Sequence, residues 1–151
     1  MKRSLFLLLM MSVLLTCQAK SSQQPNLLLI YIDDLGWKDL SIQGSKFYET
    51  PAIDQLAKTG LRFTQAYSAH PRCVPARYSL MTGRFPSRNG VPGGGKLKPE
   101  DVTLAEALKQ GGYKTFFAGK LHLLFGKEHN MPQHQGFDIN KGGCNAGSPP
   151  S

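Results

Sequence analysis

The sequence predicts an α/β domain in which helices flank a mostly parallel sheet, and three features lead to this fold class. Residues 26–32 are a continuous apolar run whose length suits a strand buried on both faces of a sheet. Residues 113–118 form a second candidate for a buried strand. Helix signals lie between these runs, and strands that alternate with helices are typical of a parallel sheet covered by helices.

The first predicted helix begins at Pro51, because proline is favoured at the first helical position and the preceding Thr50 is a good cap. Gly60 ends this helix. Three apolar residues share its predicted inner face: Ile53, Leu56 and Ala57. A short strand is predicted next, over residues 61–67, and a polar loop follows over residues 68–72.

The second predicted helix begins at Pro75, continues to about Met81 and ends at Gly83. Residues 85–100 are rich in proline and glycine, so they are predicted to form a loop. The second helix is therefore predicted to stand between two loops, residues 68–72 and residues 85–100. No internal repeat is visible in the sequence.

The third predicted helix opens with a capping box formed by Thr103 and Glu106, and Gly111 lies at its end. Its predicted inner face consists of three residues: Leu104, Ala107 and Leu108. From residue 131 onward no periodic apolar pattern is present, and this tail is predicted to be loop. A parallel sheet built from these elements has open edges, which are unfavourable. We therefore expect the chain to be an incomplete N-terminal part of a longer protein.

Residues 1–19 have the organisation of a secretory signal peptide. They start with a basic pair, Lys2 and Arg3. Residues 5–15 are almost entirely apolar, and small residues suited to a cleavage site follow. The apolar run is too short to cross a bilayer as a mature helix, so we expect no stable membrane span.

These features predict an exported protein, periplasmic or secreted, whose mature portion is residues 20–151. A lipoprotein signal, with Cys17 as the lipidated residue, is the alternative. The chain has a formal net charge of +8, but its basic residues are scattered among glycines and prolines. Basic and aromatic residues do not interleave, so we expect no nucleic-acid partner. The charge suits an anionic substrate, although an ordinary solvated surface explains it equally well.

Two groups of polar residues follow the predicted strands. Asp33 and Asp34 come directly after the first, and a hard divalent cation is one way to stabilise adjacent carboxylates. Taken alone, the pair is better explained as a helix cap and a turn residue. Lys120 and His122 follow the last predicted strand and, in an extended segment, lie on one side of the chain. Both side chains can bind an oxyanion, although a surface lysine and a structural histidine are more common.

Cys73 directly precedes the predicted second helix, where free backbone N–H groups favour negative charge. Arg77 follows one helical turn later, so its guanidinium can return to the same place. A cysteine in this setting is expected to be reactive. The default for an exported protein would be a disulfide with Cys144, and the setting of Cys73 argues against it. Ligands bind beyond the carboxyl ends of strands in open α/β sheets, so the polar groups are expected to converge.

Several collinear segments resemble the sulfatase family. The segment at 73–77 (Cys-Val-Pro-Ala-Arg), continued by residues 80–84, is similar to the sulfatase signature. The other matching segments, in chain order, are residues 31–37 with Asp39, residues 50–57, residues 112–115, residues 119–123 and residues 136–138. One departure is Leu121, where a tryptophan is common, and it concerns packing more than chemistry. The match extends from about Asn26 to Asp138.

The resemblance implies an alkaline phosphatase-like fold and the hydrolysis of sulfate esters. In similar proteins the signature cysteine, here Cys73, is oxidised to formylglycine, whose hydrate is a geminal diol nucleophile. The resemblance also implies a divalent ion, most simply Ca²⁺, held by Asp33, Asp34 and the modified residue 73. A formylglycine-generating maturation enzyme is then a partner.

The resemblance gives the remaining site residues their roles. Arg77 would hold the diol and the ion-binding loop, while Lys120 and His122 would bind sulfate oxygens or the second hydroxyl. The substrate is expected to be a sulfated small molecule or glycan. Further metal ligands and a leaving-group acid come from later in the family's chain, so residues 20–151 alone are expected to be inactive. Two alternatives stay open: a phosphoester or phosphonate monoester hydrolase, and a non-catalytic binding module.

Overall fold

The computed structural model describes residues 24–90, 97–123 and 131–144. The predicted signal peptide and Cys17 lie outside the described residues. The helices are α1 (Pro51–Thr59), α2 (Cys73–Thr82) and α3 (Leu104–Gln110), and the strands are β1 (Phe116–Lys120) and β2 (Ile139–Cys144). Short 3-10 helices occur at Ser41–Gln43, Pro86–Asn89 and Pro132–Gln135. The chain divides into two units, residues 1–32 and residues 33–151.

β1 and β2 pair in parallel, which agrees with the predicted α/β class and its parallel sheet. Phe116 lies opposite Ile139, and the register then slips once, between Ala118 and Lys120. The slip places one additional residue in β2, where Gly142 adopts a positive φ of 67°. Such a bulge bends one strand against its neighbour.

The helix boundaries follow the sequence signals closely. α1 begins at Pro51, and α3 begins with the predicted capping box, in which Thr103 and Glu106 each bond to the other's backbone N–H. Thr50 precedes α1 but does not cap it through its side chain. Its hydroxyl instead donates to a carboxylate oxygen of Asp54 (2.9 Å).

α2 begins earlier than predicted. Its first residue is Cys73, with Arg72 as the N-cap, so Pro75 is the third helical residue rather than the first. Proline is tolerated there because the first N–H groups of a helix have no acceptor within the helix. Gly83 ends α2 in the left-handed conformation, as predicted (φ 66°).

Two predicted strands are absent from the described residues. Residues 26–32 form no ladder, and their side chains are exposed, Leu28 by 86%. Residues 61–67 also pair with no strand. An apolar run becomes a strand only when a neighbouring strand takes up its backbone hydrogen bonds. Within the described residues only β1 and β2 provide such partners for each other.

Two further predictions about strands need correction. The strand predicted at 113–118 lies slightly later, at Phe116–Lys120, and is half-exposed rather than buried on both faces. The tail predicted to be loop contains β2, whose sequence is too polar and glycine-rich for a hydrophobic signal. Its pairing with β1 is what makes it a strand.

The predicted inner faces of two helices are largely uncovered in the described residues. Leu56 of α1 and Leu104 of α3 are exposed, and Ala105 is the buried residue of α3. The apolar spacing identifies a helical face, but it does not identify the element that covers the face.

The core joins α2 to the segment that follows β1. It consists of Tyr78, Met81, Leu97, Leu121 and Leu123, with Phe117 and Phe137 packed against it. Tyr78 is 1% exposed and Leu121 is 2% exposed. The departure at position 121 therefore concerns packing, as the sequence indicated. This core fixes where α2 stands relative to the end of β1.

A second set of contacts joins α3 to the turn before β2. The Thr103 hydroxyl donates to the Gln135 carbonyl (2.8 Å). The Asp138 carboxylate accepts from the Thr115 N–H (2.9 Å) and pairs with Lys109 (2.9 Å). The Thr115 amide and the Lys109 ammonium hold the pKa of Asp138 at about 2, so this carboxylate stays ionised in all but strong acid. No helix in the described ranges is long and apolar enough to span a bilayer.

Substitution of Gly136 by alanine tests the contacts between α3 and the turn before β2. It has a φ of 90°, and a Cβ there would lie 2.6 Å from the Glu106 backbone nitrogen. Gly136→Ala should destabilise the full-length protein by about 2–4 kcal/mol, because strain and overlap act together. The matched control is Gly83→Ala, which also has a positive φ but no atom within 4 Å of the new Cβ. It should cost about 1–2 kcal/mol. Equal shifts of the unfolding midpoint would contradict the close contact with α3.

Candidate active site

Asp33 lies between two cationic side chains from distant parts of the chain. Its Oδ1 is 3.0 Å from an Arg77 guanidinium nitrogen, and its Oδ2 is 2.6 Å from the Lys120 ammonium. Arg77 belongs to α2 and Lys120 is the last residue of β1. Three of the residues predicted for the site are therefore in direct contact.

Arg77 is buried, with 7% of its surface exposed, although its charge cannot be removed at ordinary pH. Its neighbour Tyr78 belongs to the core, which fixes this part of α2. A second guanidinium nitrogen of Arg77 donates to the Lys120 carbonyl. Arg77 thus binds the Asp33 carboxylate and the end of β1 at once, and this bridge positions both. The carbonyl contact could not be read from the sequence, because no side-chain pattern encodes it.

The electrostatics of the cluster favour an ionised Asp33. The hydrogen bond from Lys120, followed by the one from Arg77, lowers the pKa of Asp33. A carboxylate that is stabilised in this way contributes stability at neutral pH, and the contribution is lost as the pH falls through its lowered pKa. The two cations in turn need this anion, because they would otherwise repel each other.

Cys73 is the first residue of α2 and is half-buried. Its thiol forms no disulfide with any described residue. In the first turn of a helix, N–H groups without an acceptor inside the helix favour negative charge. Arg77 follows one turn later on the same helix, so a reacting group at residue 73 is close to a cation.

His122 lies just beyond β1, between two core residues, Leu121 and Leu123. Its φ is 51°, so the backbone is not extended at this residue. The prediction that Lys120 and His122 lie on one side of an extended segment is therefore wrong in its geometry. Its Nδ1 is buried and has no hydrogen-bond partner among the described residues. Burial, followed by the charges of Lys120 and Arg77, lowers the pKa of His122. The imidazole is therefore neutral at pH 7.

Asp34 adopts a φ of 55°, and its carboxylate makes no hydrogen bond or ion pair with any described residue. Within the described ranges, Asp34 and His122 are the two non-glycine residues with a positive φ. Both are residues predicted for the site, and sparsely populated backbone conformations are concentrated at functional sites. The backbone thus presents these two side chains at some cost in local strain.

The donor set suits a hard cation but does not complete its coordination. Asp34 offers a carboxylate that no described residue binds, and Asp33 keeps lone pairs beyond those its two partners use. Calcium takes six to eight oxygen ligands. No group of three or more His, Cys, Asp or Glu residues in the described part of the chain is placed to hold a metal. The two aspartates therefore fit as part of such a site.

The chain has three further histidines, none of them among the predicted site residues: His70, His129 and His134. His70 accepts a hydrogen bond from the Arg72 N–H (3.0 Å), which is a local loop contact. His134 lies in the 3-10 helix Pro132–Gln135. His129 is outside the described residues.

In this α/β protein an aspartate lies between an arginine of α2 and the lysine that ends β1, and such paired cations are suited to binding oxyanions. Comparison with known protein families identifies the family to which this protein belongs. The family model described as "Sulfatase" matches residues 25–145, and the chain belongs to the sulfatase family. The fold class and the family predicted from the sequence are thereby confirmed.

The relatives carry sulfatase names. Arylsulfatase A of Homo sapiens is 46% identical, over 77% of this chain and 24% of that protein. N-acetylgalactosamine-6-sulfatase of Canis lupus familiaris is 38% identical, over 87% of this chain and 28% of that protein. The solved structure of Ps i-CgsB has a TM-score of 0.68 at 40% identity, covering 77% of this chain and 27% of that one. The chain thus spans about a quarter of the length of these relatives.

Arg77→Lys tests whether the guanidinium acts as a bridge. A lysine keeps the charge but cannot bind both Asp33 and the Lys120 carbonyl, so the full-length protein should lose about 1–3 kcal/mol of stability. The partial exposure of Asp33 keeps the loss below that of a fully buried pair. Arg84→Lys is the control, because Arg84 also pairs with an aspartate, Asp101, but is 57% exposed. Its thermal unfolding midpoint should shift little. Equal shifts for the two variants would contradict a bridging role.

Proposed function

We propose that the protein carrying this chain hydrolyses sulfate esters, with a nucleophile made from Cys73. The observation that carries the proposal is the convergence of Arg77 and Lys120 on Asp33, at a helix whose first residue is Cys73. Arg77 follows Cys73 by one turn of α2, which supports a shared site for the two cations and the helix N-terminus. The sulfatase names of the relatives support the same reaction.

Residue 73 would act as formylglycine. Hydrated formylglycine would supply a geminal diol, one hydroxyl of which attacks sulfur and displaces the alcohol of the ester. The other hydroxyl then loses its proton and re-forms the aldehyde, which expels sulfate, and water hydrates the aldehyde again. Arg77, one turn along α2, holds this position and stabilises negative charge that develops there. The first-turn N–H groups of α2 act in the same direction.

Asp33 and Asp34 would hold a calcium ion, together with residue 73 and with ligands from outside the described residues. The ion supplies positive charge beside the sulfate oxygens. Lys120 binds a sulfate oxygen as a point charge. His122 is neutral at pH 7, so it can donate a hydrogen bond from one ring nitrogen while the other accepts.

The substrate is a sulfated small molecule or glycan. A further solved structure, at 38% identity and a TM-score of 0.62, is Ps i-CgsB in complex with k-i-k-neocarrahexaose, which favours a glycan. A maturation enzyme must reach Cys73 before the chain folds. Cys73 is half-buried in the first turn of α2, and the residues that follow it, among them Pro75 and Ala76, are buried in the folded chain.

The test of the proposed function is made on residue 73 in the full-length protein. Peptide mass spectrometry of an active preparation should show an aldehyde at this position, lighter than cysteine by the exchange of sulfur for oxygen and the loss of two hydrogen atoms. Cys73→Ala should retain the fold and lose turnover of an aryl sulfate by at least about a thousandfold, since the nucleophile is removed.

Parallel assays separate this reaction from its alternatives. Faster turnover of an aryl phosphate than of the matching aryl sulfate would assign the site to phosphoester hydrolysis, because both tetrahedral oxyanions suit these cations. Calcium and sulfate binding without turnover would indicate a non-catalytic module. An active preparation with an unmodified thiol at Cys73 would contradict the formylglycine mechanism.

We also propose that the protein is exported, on the grounds of the basic start and apolar run of residues 1–19. N-terminal sequencing of the protein from its natural host should give a start near Lys20. A lipidated start at Cys17 would indicate the lipoprotein variant instead. A soluble cytoplasmic product that retains Met1 would contradict export.

A further inference from the structure

We propose that Lys120 and the divalent ion compete for Asp33, and that ion binding transfers the Lys120 ammonium from Asp33 to the sulfate group of the substrate. The inference rests on the proposed function, from which it takes the ion and the sulfate ester. To that function it adds a coupling between binding of the divalent ion and binding of the sulfate group. Each part of it follows from the contacts of three residues: Asp33, Arg77 and Lys120.

Both oxygens of Asp33 already have a cationic partner. Arg77 is 3.0 Å from Oδ1, and Lys120 is 2.6 Å from Oδ2. The carboxylate has lone pairs left for a metal. An ion bound there would nevertheless lie within a few ångströms of two positive charges, and like charges at that distance repel strongly in a partly buried site. One of the two side chains should therefore withdraw when the ion binds.

Lys120 is the side chain that can withdraw. Arg77 is buried, stands in a helix that is fixed by the core, and has a second contact to the Lys120 carbonyl. The Lys120 side chain is 23% exposed and ends in an ammonium on a flexible stem. It can leave Asp33 without moving the backbone of β1, and Arg77 cannot leave without disturbing α2.

The sulfate group of the substrate is the acceptor that best suits the released ammonium. An anion that enters beside Arg77 and the ion meets two positive charges, and the Lys120 ammonium adds a third. Ion binding thus frees a ligand for the sulfate, and sulfate binding removes a competitor of the ion. The two events are positively coupled, and thermodynamic linkage makes the coupling reciprocal.

The first experiment measures calcium affinity by titration calorimetry of the full-length protein without sulfate. Lys120→Met removes the competing charge, so calcium should bind about five- to tenfold more tightly. Lys120→Arg keeps the charge and should bind calcium as the wild type does. Lys109→Met is the matched control, because Lys109 also pairs with an aspartate, Asp138, which shares no residue with the site. Its calcium affinity should be unchanged.

The second experiment uses inorganic sulfate as the probe. Saturating calcium should raise the sulfate affinity of the wild type, and Lys120→Met should reduce that enhancement. The wild-type measurement needs no variant, so it remains a test even if Lys120→Met does not fold. Wild-type protein whose sulfate affinity is independent of calcium would overturn the proposal.

An unchanged or weaker calcium affinity in Lys120→Met would also overturn it, because Lys120 would then support the ion site rather than compete for it. These outcomes are independent of the proposed function, which is tested by turnover of the aryl sulfate. A protein that turns over sulfate esters but shows no competition refutes the exchange alone. A protein that shows the competition without turnover refutes the proposed reaction and leaves the exchange standing.

Discussion

The Asp33 carboxylate is the interaction on which the arrangement of the site depends. It brings together a helix residue, Arg77, and a strand residue, Lys120, that are far apart in the chain. A buried guanidinium is unfavourable without an anion, because it loses its hydration and cannot lose its charge. Asp33 supplies that anion, and the Lys120 carbonyl supplies a second acceptor. Removal of the carboxylate would leave two like charges facing each other beside the core.

The apolar core and the charged cluster support each other. Tyr78 follows Arg77 in α2, and Leu121 follows Lys120 at the end of β1. Each charged side chain therefore stands next to a residue that is almost fully buried. Packing fixes the backbone on both sides, so the ion pairs need little further ordering of the chain. Rigid support of this kind is what a binding site needs in order to hold its groups in place.

Local signals predicted much of this structure. The boundaries of α1 and α3 follow from Pro51 and from the capping box at Thr103, because proline and capping residues act on their immediate neighbours. The predicted site residues Asp33, Arg77 and Lys120 are in contact, as the sequence pattern indicated, although residues 26–32 before Asp33 form no strand. Partners at long range were not predictable. Residues 26–32 have the composition of a buried strand and pair with no described strand, whereas the polar Ile139–Cys144 is a strand because β1 lies beside it.

The register slip between β1 and β2 has a consequence for how the chain tolerates changes in length. Gly142 and Gly143 lie where β2 holds one residue more than β1. Loss of one of these glycines would remove the surplus and let the ladder run without interruption. Lys120 would keep Cys144 as its backbone partner, now without a surplus residue between the two paired positions. A single-codon deletion at this spot would therefore straighten β2 along β1 while leaving the pairing on either side of it in place.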